Sequence, residues 1–264
     1  MDEYNQGKAS GTLVQNFALD FVKHIAKGLG VAVSRYPPPG SLMRHLRDYL
    51  LQMEINVALD VGANVGNYAK LLREVGYKGK IISFEPVPST YEELQQAMHS
   101  DPLWFGQRVG LSDENREALI NTYSDGLFNS LLSLHEDAEK FFSLDAEQRS
   151  QTLIQLRRLD AVLPELIKGI ENPRIFMKID TQGHDVSVVK GASGVLGMIL
   201  GLQSELPALE IYDGMSSMSA TLNYYASCGF VPTRFYPITT FRNVQISPEF
   251  DVLFTRFEGR LTRP

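Results

Sequence analysis

Short apolar runs of strand length alternate with segments of helical periodicity over most of the chain. The runs that predict strands are INVALDVG (55–62), KIISFEP (80–86), LWFGQRVGLS (103–112), EALINTY (117–123), TLIQLRRLD (152–160), RIFMKID (174–180), GMILGLQSEL (197–206), GFVPTRFYPI (229–238) and EFDVLFTRF (249–257). The helices predicted between them cover residues 67–75, 89–99, 135–151, 161–167, 186–190 and 215–227. Strands that alternate with helices predict an α/β fold with a doubly wound, mostly parallel sheet. The last two runs have no helix between them and predict an antiparallel hairpin at one edge.

Local signals refine the helix predictions. Ser89 is placed as an N-cap, with Glu92 as its capping-box partner, and Gly229 is placed to end the helix that precedes it. The pattern divides the chain into an N-terminal helical extension, residues 1–53, and a main domain, residues 54–264.

The N-terminal extension has its own apolar face. Phe17, Phe21, Ile25 and Leu29 recur at helical spacing, and a second helix is predicted over Ser41–Met53. Charges in residues 13–29 are few and of mixed sign, which favours packing against protein over lying on a membrane surface. The apolar face therefore needs a protein surface to cover it.

Composition excludes several classes of protein. The chain has 264 residues, a net charge of −6 and one cysteine, so it contains no internal disulfide and no cysteine-based zinc site. A dedicated nucleic-acid binder would show a basic patch, and no such run is present. The longest apolar uncharged run, 191–204, is too short to span a bilayer. We expect a cytoplasmic protein with no membrane span and no nucleic-acid partner.

A glycine-rich turn follows the first predicted strand. Asp60, Gly62, Asn64 and Gly66 stand in the segment DVGANVG, where the glycines let the backbone approach a ligand closely. The spacing differs from the GxGxxG dinucleotide fingerprint, because Asn64 occupies the place of its second glycine. Glu85 ends the next strand, and a carboxylate there can accept hydrogen bonds from both hydroxyls of a ribose.

Further polar groups follow later strands. Ser112 and Asp113 end the third strand and would lie beside a bound base. A polar loop, Phe128–Leu131, follows the fourth strand-like run. The segment KIDTQGHD (178–185) comes after an apolar strand and carries Asp180, Gln182 and His184. It would face the same crevice as the glycine-rich turn.

Together these segments resemble the FkbM-type methyltransferase family. The resemblance covers roughly residues 55–256 and rests on DVGANVG, FEP, LSD, KIDTQG with VVKGA after it, and the late DVLFTR segment. It implies a class I methyltransferase fold, Rossmann-like with a seven-stranded sheet, and S-adenosylmethionine as methyl donor. It also implies O-methylation of a natural product, sugar or lipid-like hydroxyl. The donor-binding residues it implies are Asp60, Gly62, Asn64, Gly66, Glu85, Ser112, Asp180 and Gln182.

The resemblance does not assign the proton acceptor. The family commonly has glutamate where this chain has the pair His184-Asp185, so the role of His184 comes from its chemistry alone. Removing a proton from a hydroxyl near neutral pH suits histidine, and Asp180 is the rival base. Asp180, His184 and Asp185 could also bind Mg²⁺, but no second cluster of ligands is visible, so a metal is not favoured. Glu205, Tyr212 and Asp213 would line the acceptor side.

Two other functions remain as alternatives. An NAD-dependent oxidoreductase or epimerase could use the same acid at Glu85, although the chain lacks both GxGxxG and a Tyr-x-x-x-Lys pair. A non-catalytic nucleotide-binding protein of the same fold would keep the glycine-rich turn. In the favoured interpretation the acceptor is a small molecule, and the extension 1–53 forms a lid over its cleft or a contact between subunits of a homo-oligomer.

Overall fold

The computed structural model describes residues 22, 24–31, 33, 34, 36–123, 126–136, 138, 150–238 and 246–257. The chain divides into two compact units, Met1–Asp48 and Tyr49–Pro264. In the first unit residues 24–28 are helical, and Ile25 and Leu29 are 50% and 76% exposed. Phe17 and Phe21 lie outside the described residues. A role for the extension as lid or subunit contact therefore stays a prediction.

The elements follow the predicted alternation. The helices are α1 (Leu42–Gln52), α2 (Asn67–Glu74), α3 (Pro88–Met98), α4 (Leu159–Leu166), α5 (Asp185–Gly191) and α6 (Met218–Ser227). The strands are β1 (Val57–Val61), β2 (Lys80–Phe84), β3 (Trp104–Gln107), β4 (Gly110–Leu111), β5 (Arg116–Thr122), β6 (Ser150–Arg157), β7 (Ile175–Ile179), β8 (Ile199–Pro207), β9 (Phe230–Pro237) and β10 (Glu249–Arg256).

Seven strands form the main sheet, in the order β3-β2-β1-β7-β8-β10-β9. Neighbours from β3 to β8 are parallel, whereas β10 is antiparallel to both β8 and β9. The predicted antiparallel pair is thus confirmed, with β10 inserted between β8 and β9. The fold is the class I methyltransferase α/β fold that the sequence predicts.

Both faces of the central strands are covered, because every residue of β1 and β7 is buried. Met177 belongs to the core cluster that also includes residues of α4, α5 and α6. Its neighbour Phe176 points to the opposite face, where its ring lies 5.6 Å from that of Tyr49 in α1. Asp60 and Lys178 are the charged exceptions in these two strands, and they are register partners. Their opposite charges offset part of the cost of burial.

A second sheet was not predicted. The run 103–112 was interpreted as one strand, but it divides into β3 in the main sheet and β4 in a three-stranded sheet of order β4-β6-β5. Residues 108 and 109 are not extended partners of either sheet, and the chain leaves the main sheet there. The β5 and β6 runs, interpreted as strands without a stated sheet, pair antiparallel with each other.

Several helix boundaries differ from the predictions, and three of the differences have a local explanation or limit. Helix α3 begins at Pro88 with Val87 as N-cap, so Ser89 caps nothing, because proline favours the first helical position. Helix α6 begins at Met218 rather than Met215, and the Ser217 side chain accepts a hydrogen bond from Ala220 N. Of the predicted helix 135–151, residues 136 and 138 are helical and Ser150 already belongs to β6, while residues 139–149 lie outside the described part.

Candidate functional site

A cleft of about 340 Å³ opens at the carboxyl ends of β1, β2, β7 and β8. Three strand ends contribute much of its polar lining: Asn64 after β1, Glu85 after β2, and Asp180, Thr181, Gln182 and His184 after β7. Its apolar lining comes from the second sheet and the loop after β5: Leu111, Ile120, Leu127, Phe128, Leu131, Ile154 and Leu156. The parallel strands thus bring the predicted motifs to one place, as their common direction requires.

The glycine-rich turn is pressed against the turn that follows β7. Gly62 has φ +76°, and a Cβ there would lie 1.8 Å from the carbonyl oxygen of Asp180. Only glycine permits this approach, because it combines a left-handed conformation with contact between two backbones. Gly62 and Asn64 line the cleft. Gly66 does not, and its φ of +83° sets the start of α2 against the Trp104 ring.

Glu85 is held rigidly at the cleft. Its Oε2 accepts from Asn64 N at 3.0 Å, its Oε1 accepts from Val87 N at 2.9 Å, and the residue is 6% exposed. Burial raises the pKa of this carboxyl to about 7, although both backbone hydrogen bonds oppose the rise. Each oxygen keeps a lone pair free for a second donor, so the group can receive two hydroxyls side by side.

Asp60 lies beneath the turn rather than on the wall of the cleft. It is fully buried, and its Oδ2 accepts from Ser83 Oγ at 3.1 Å. Its Oδ1 has no hydrogen-bond partner among the described residues. Burial raises the pKa of Asp60, while the charge of Lys178 lowers it. A buried acceptor without a donor is unfavourable, which makes Oδ1 a place where a ligand or water would be stabilised.

Both carboxylate oxygens of Asp180 accept a hydrogen bond from a neighbouring side chain. Lys178 Nζ donates to Oδ2 at 2.6 Å, and Gln182 Nε2 donates to Oδ1 at 2.7 Å. Lys178 is 7% exposed, and nearby carboxylates, Asp180 first among them, raise its pKa against the effect of burial. Asp180 therefore faces the cleft as an ion-paired carboxylate.

Asp185 stabilises the turn after β7 through hydrogen bonds to both of its carboxylate oxygens. Its Oδ1 accepts from Thr181 N at 3.0 Å, and its Oδ2 accepts from Ser204 Oγ at 2.7 Å. With both oxygens used inside the protein, Asp185 is a structural residue of this turn.

His184 lines the cleft, and its ring tautomer follows from its neighbours. His184 Nε2 lies 3.0 Å from Ser112 Oγ, and that hydroxyl donates its single hydrogen to Asp113 Oδ1 at 3.1 Å. This arrangement favours the tautomer in which Nε2 donates to Ser112 and Nδ1 keeps the lone pair of the neutral ring. Burial lowers the pKa of His184, so the neutral ring is favoured. Ser112 itself is 1% exposed and does not line the cleft.

The side of the cleft near β8 and β10 is acidic. Glu205, singled out from the sequence, and Glu249, which was not, both line it. Burial raises the pKa of Glu205 well above its usual value and that of Glu249 to about 7. Tyr212 is fully buried behind the lining, and Asp213 is exposed outside it. Glu249 opens β10, and only the pairing of β10 with β8 could have indicated its place.

No group of three or more potential ligand side chains able to hold a metal ion occurs in the described part of the chain. Within the same residues, no helix is long and apolar enough to cross a membrane.

Comparisons with known proteins agree with this geometry. The family described as "Methyltransferase FkbM domain" matches residues 60–232. The methyltransferase sdnD of Sordaria araneosa is 25% identical over 154 residues, which is 50% of this chain and 59% of that protein. The chain is thus aligned with little more than half of this relative.

Three solved structures illustrate the limited similarity of this chain to known folds. An rRNA methylase from Streptococcus thermophilus has a TM-score of 0.45 and 12% identity, over 83% of this chain and 99% of that one. Magnesium protoporphyrin IX methyltransferase from Synechocystis, solved with bound S-adenosylmethionine, has a TM-score of 0.44 and 9% identity, over 81% and 78%. Fibrillarin from Aeropyrum pernix has a TM-score of 0.43 and 12% identity, over 76% and 66%.

Proposed function

The chain belongs to the FkbM methyltransferase family, and we propose that it transfers the methyl group of S-adenosylmethionine to a hydroxyl of a small organic acceptor. The family membership makes the chain an S-adenosylmethionine-dependent methyltransferase. The hydroxyl and the small acceptor are the parts that we infer from the cleft.

The residues around the cleft fit this donor. Glu85 would hold the ribose hydroxyls, since its two oxygens are fixed and each keeps a free lone pair. Gly62 and Asn64 would let the donor lie against the backbone, and Gln182 would contact it beside Asp180. Asp60 would interact with the methionine end of the donor through its unpartnered Oδ1. Because Asp60 lies beneath the turn, this interaction would pass through the backbone of the turn or through a bound water. When bound, S-adenosylmethionine supplies a methyl group made electrophilic by the sulfonium charge.

The side chains of the cleft support a cationic ligand. Its described lining contains the carboxyl groups of Glu85, Asp180, Glu205 and Glu249 and includes no lysine or arginine. Such a lining offers no basic group to hold a pyrophosphate or a nucleic-acid backbone, whereas a bound sulfonium or ammonium group would favour the charged forms of these carboxyls. It therefore supports S-adenosylmethionine over NAD, and a small acceptor over RNA or DNA. With a single cysteine, the protein suits the reducing cytoplasm, where we place the reaction.

One observation carries the choice of a hydroxyl acceptor: His184 lines the cleft, and its Nε2 lies 3.0 Å from Ser112 Oγ. A neutral imidazole held by Ser112 can take the hydroxyl proton as the oxygen attacks the methyl group. Asp180 is the weaker candidate, because it already forms an ion pair with Lys178 and accepts a hydrogen bond from Gln182. The apolar lining would exclude water from the acceptor.

Product mass tests this proposal directly. The protein is incubated with S-adenosylmethionine and fractionated small-molecule extract, and mass spectrometry searches for compounds that gain one CH₂ unit. We expect a product whose fragmentation places the new methyl group on oxygen. A methyl group on nitrogen or carbon would overturn the hydroxyl assignment. A product found only with added RNA would overturn the small acceptor.

A further inference from the structure

Tyr212 lies outside the cleft but contacts a residue that lines it. The residue follows β8, is fully buried, and belongs to a small apolar cluster with Tyr123, Leu134 and Ile211. Its hydroxyl donates to Gln182 Oε1 at 2.6 Å. Burial raises the pKa of Tyr212, so the hydroxyl keeps its hydrogen and remains a donor at every physiological pH.

This contact determines which way the Gln182 amide points. Since Oε1 accepts from Tyr212, the amide nitrogen must point the other way, where it donates to Asp180 Oδ1 at 2.7 Å and Glu205 Oε2 at 3.3 Å. Both amide hydrogens are then used on carboxylates. The Gln182 backbone is held as well, because Ser130 Oγ donates to its carbonyl oxygen at 2.6 Å.

The Gln182 amide connects two sides of the cleft, because it donates to both Asp180 and Glu205. Asp180 follows β7 beside the glycine-rich turn, and Glu205 lies on β8 on the acidic side of the cleft. The charge of Asp180 opposes ionisation of Glu205, and a donor held between the two carboxyl groups offsets part of that effect. The position of the Gln182 amide therefore sets the electrostatic field where the methyl group would be transferred.

We propose that Tyr212 is a positioning residue of the transferase, whose hydroxyl holds the Gln182 amide between Asp180 and Glu205. The inference rests on the proposed function, in which donor and acceptor meet at these carboxylates. Tyr212 acts through Gln182 and touches neither ligand.

A double-mutant cycle tests the path of this effect. The affinity for S-adenosylhomocysteine is measured by titration calorimetry in the wild type, Tyr212→Phe, Gln182→Ala and the double variant. We expect Tyr212→Phe to weaken binding by about three- to tenfold, the effect of one hydrogen bond, and to have no further effect once Gln182 is alanine. Equal, additive losses in both backgrounds would show that Tyr212 acts by some other route and would overturn the inference.

Tyr49→Phe is the matched control. Tyr49, like Tyr212, is a buried tyrosine whose hydroxyl donates a hydrogen bond. Its acceptor is the backbone carbonyl oxygen of Leu200, at 2.7 Å. Leu200 lies near the start of β8, at the edge of the sheet opposite the cleft. We expect Tyr49→Phe to lose a similar amount of stability without any change in S-adenosylhomocysteine affinity. An equal loss of affinity in both variants would indicate general destabilisation and contradict a positioning role.

The pH dependence of binding provides a second readout. Asp180 and Lys178 on the β7 side and Glu249 and Asp251 on β10 are the charged groups that act on Glu205. Losing the amide donor in Gln182→Ala, or releasing it in Tyr212→Phe, disfavours the charged form of Glu205. In both variants the midpoint of the step in the affinity–pH profile that follows Glu205 should therefore move to higher pH, while the step that follows Glu85 stays in place. A packing defect alone would weaken binding by the same factor at every pH. An unmoved midpoint in both variants overturns the inference.

Failure of the proposed function would look different. A folded wild-type protein that binds no S-adenosylhomocysteine overturns the function and this inference with it. Normal binding by the wild type together with unchanged binding by Tyr212→Phe overturns the inference alone. If Tyr212→Phe does not fold, Gln182→Ala breaks the same contact from the cleft side and must still weaken binding and move the midpoint.

Discussion

Glu85 should make donor binding depend on pH near neutrality. Its pKa of about 7 means that the protonated and charged forms coexist there, and only the charged form can accept from two ribose hydroxyls while keeping both backbone hydrogen bonds. Affinity for S-adenosylhomocysteine should therefore increase as pH rises, by up to about tenfold between pH 6 and pH 8. Titration calorimetry across this range measures the effect, and a protein whose affinity falls with rising pH would contradict it.

The same carboxyl should lower the stability of the unliganded protein at high pH. Its folded-state pKa is raised from 4.5 to about 7, so the proton is bound more tightly in the folded state. The resulting stability is complete below about pH 4.5 and is lost as pH rises to about 7. We expect Glu85→Ala to remove this part of the pH dependence in urea denaturation. If the unfolding free energy of Glu85→Ala followed the wild-type pH profile, Glu85 would not be the source of this pH dependence.

Glu85→Ala should also weaken S-adenosylhomocysteine binding by roughly 1.5–3 kcal/mol, the range for hydrogen bonds to a charged group. Glu92→Ala is the control, because Glu92 is exposed on α3 and makes no contact with the cleft. Calorimetric dissociation constants compare the two. An unchanged constant for Glu85→Ala would exclude this residue from the donor site.

His184 should control the proton-transfer step and leave donor binding unaffected. Burial lowers the pKa of His184, so kcat/KM should rise with pH and reach its plateau earlier than an exposed histidine, with a midpoint below 6.5. His184→Ala should reduce kcat/KM by roughly 10²–10⁴-fold on the acceptor identified by product mass. S-adenosylhomocysteine affinity should stay close to that of the wild type.

Asp180→Asn decides between the two candidate bases. If this variant alone abolished turnover while His184→Ala remained active, Asp180 or a metal-bound hydroxide would be the base. Loss of wild-type activity in chelator, restored by Mg²⁺, would then identify the metal.

Single residues could be predicted only where the backbone alone determines their place. Glu85 and Asp180 end parallel strands, so their arrival at one edge of the sheet follows from the apolar runs before them. The contact of Ser112 with His184 joins residues 72 positions apart, and that of Tyr212 with Gln182 joins residues 30 apart. Such pairings depend on how separate turns pack, which no local pattern encodes.

At the scale of elements, the contact between the turns after β1 and β7 should tolerate no added atom. Gly62→Ala would place a Cβ 1.8 Å from the Asp180 carbonyl oxygen in a left-handed conformation. We expect a loss of roughly 3 kcal/mol or more of unfolding free energy, from backbone strain and overpacking together. S-adenosylhomocysteine should then no longer raise the melting temperature.

Gly76→Ala separates the effect of backbone strain from the effect of overpacking. Gly76 also has positive φ, at +97°, but nothing lies within 4 Å of its added Cβ. Strain alone should cost about 1–2 kcal/mol in urea denaturation and leave ligand binding intact. Equal losses in the two variants would mean that the contact with Asp180 contributes nothing.

The element pattern was predictable where burial is continuous and failed where strands are short. Strands β1, β2, β7 and β8 read as apolar runs because helices cover both of their faces. β4 has two residues and follows β3 after a break of two, so one apolar run concealed a change of sheet. The start of α3 is predicted one residue too late, at Ser89, because the serine fits the capping-box pattern. The ring of Pro88 favours the first helical turn, and the helix begins there.

For the whole molecule, the sharpest test is which nucleotide stabilises it. A ligand that binds only the folded state raises the melting temperature by mass action. S-adenosylhomocysteine should do so and NAD should not, since the described lining of the cleft has carboxyl groups and no lysine or arginine to hold a pyrophosphate. Stabilisation by NAD alone would favour the oxidoreductase or epimerase alternative.

The role of the N-terminal extension calls for a separate experiment. Ile25 and Leu29 are at least half exposed, and we expect an apolar face of this kind to be covered either by an acceptor or by a second subunit. Deleting residues 1–39 should raise the acceptor KM or lower the oligomeric mass measured by light scattering, with S-adenosylhomocysteine affinity unchanged. If neither KM nor mass changes, the extension only enlarges the fold.

The insertion of β10 between β8 and β9 has a consequence for how the chain folds during synthesis. β9 leaves the ribosome before β10, yet its partner in the sheet is β10, so β9 has no partner in the sheet until β10, which pairs with it from Phe250 onward, has been made. Until then β8 presents an unpaired edge, and such edges promote association between nascent chains. A stop codon between residues 238 and 249 would leave an open sheet edge and an orphan strand together, so its product should be found in inclusion bodies or degraded.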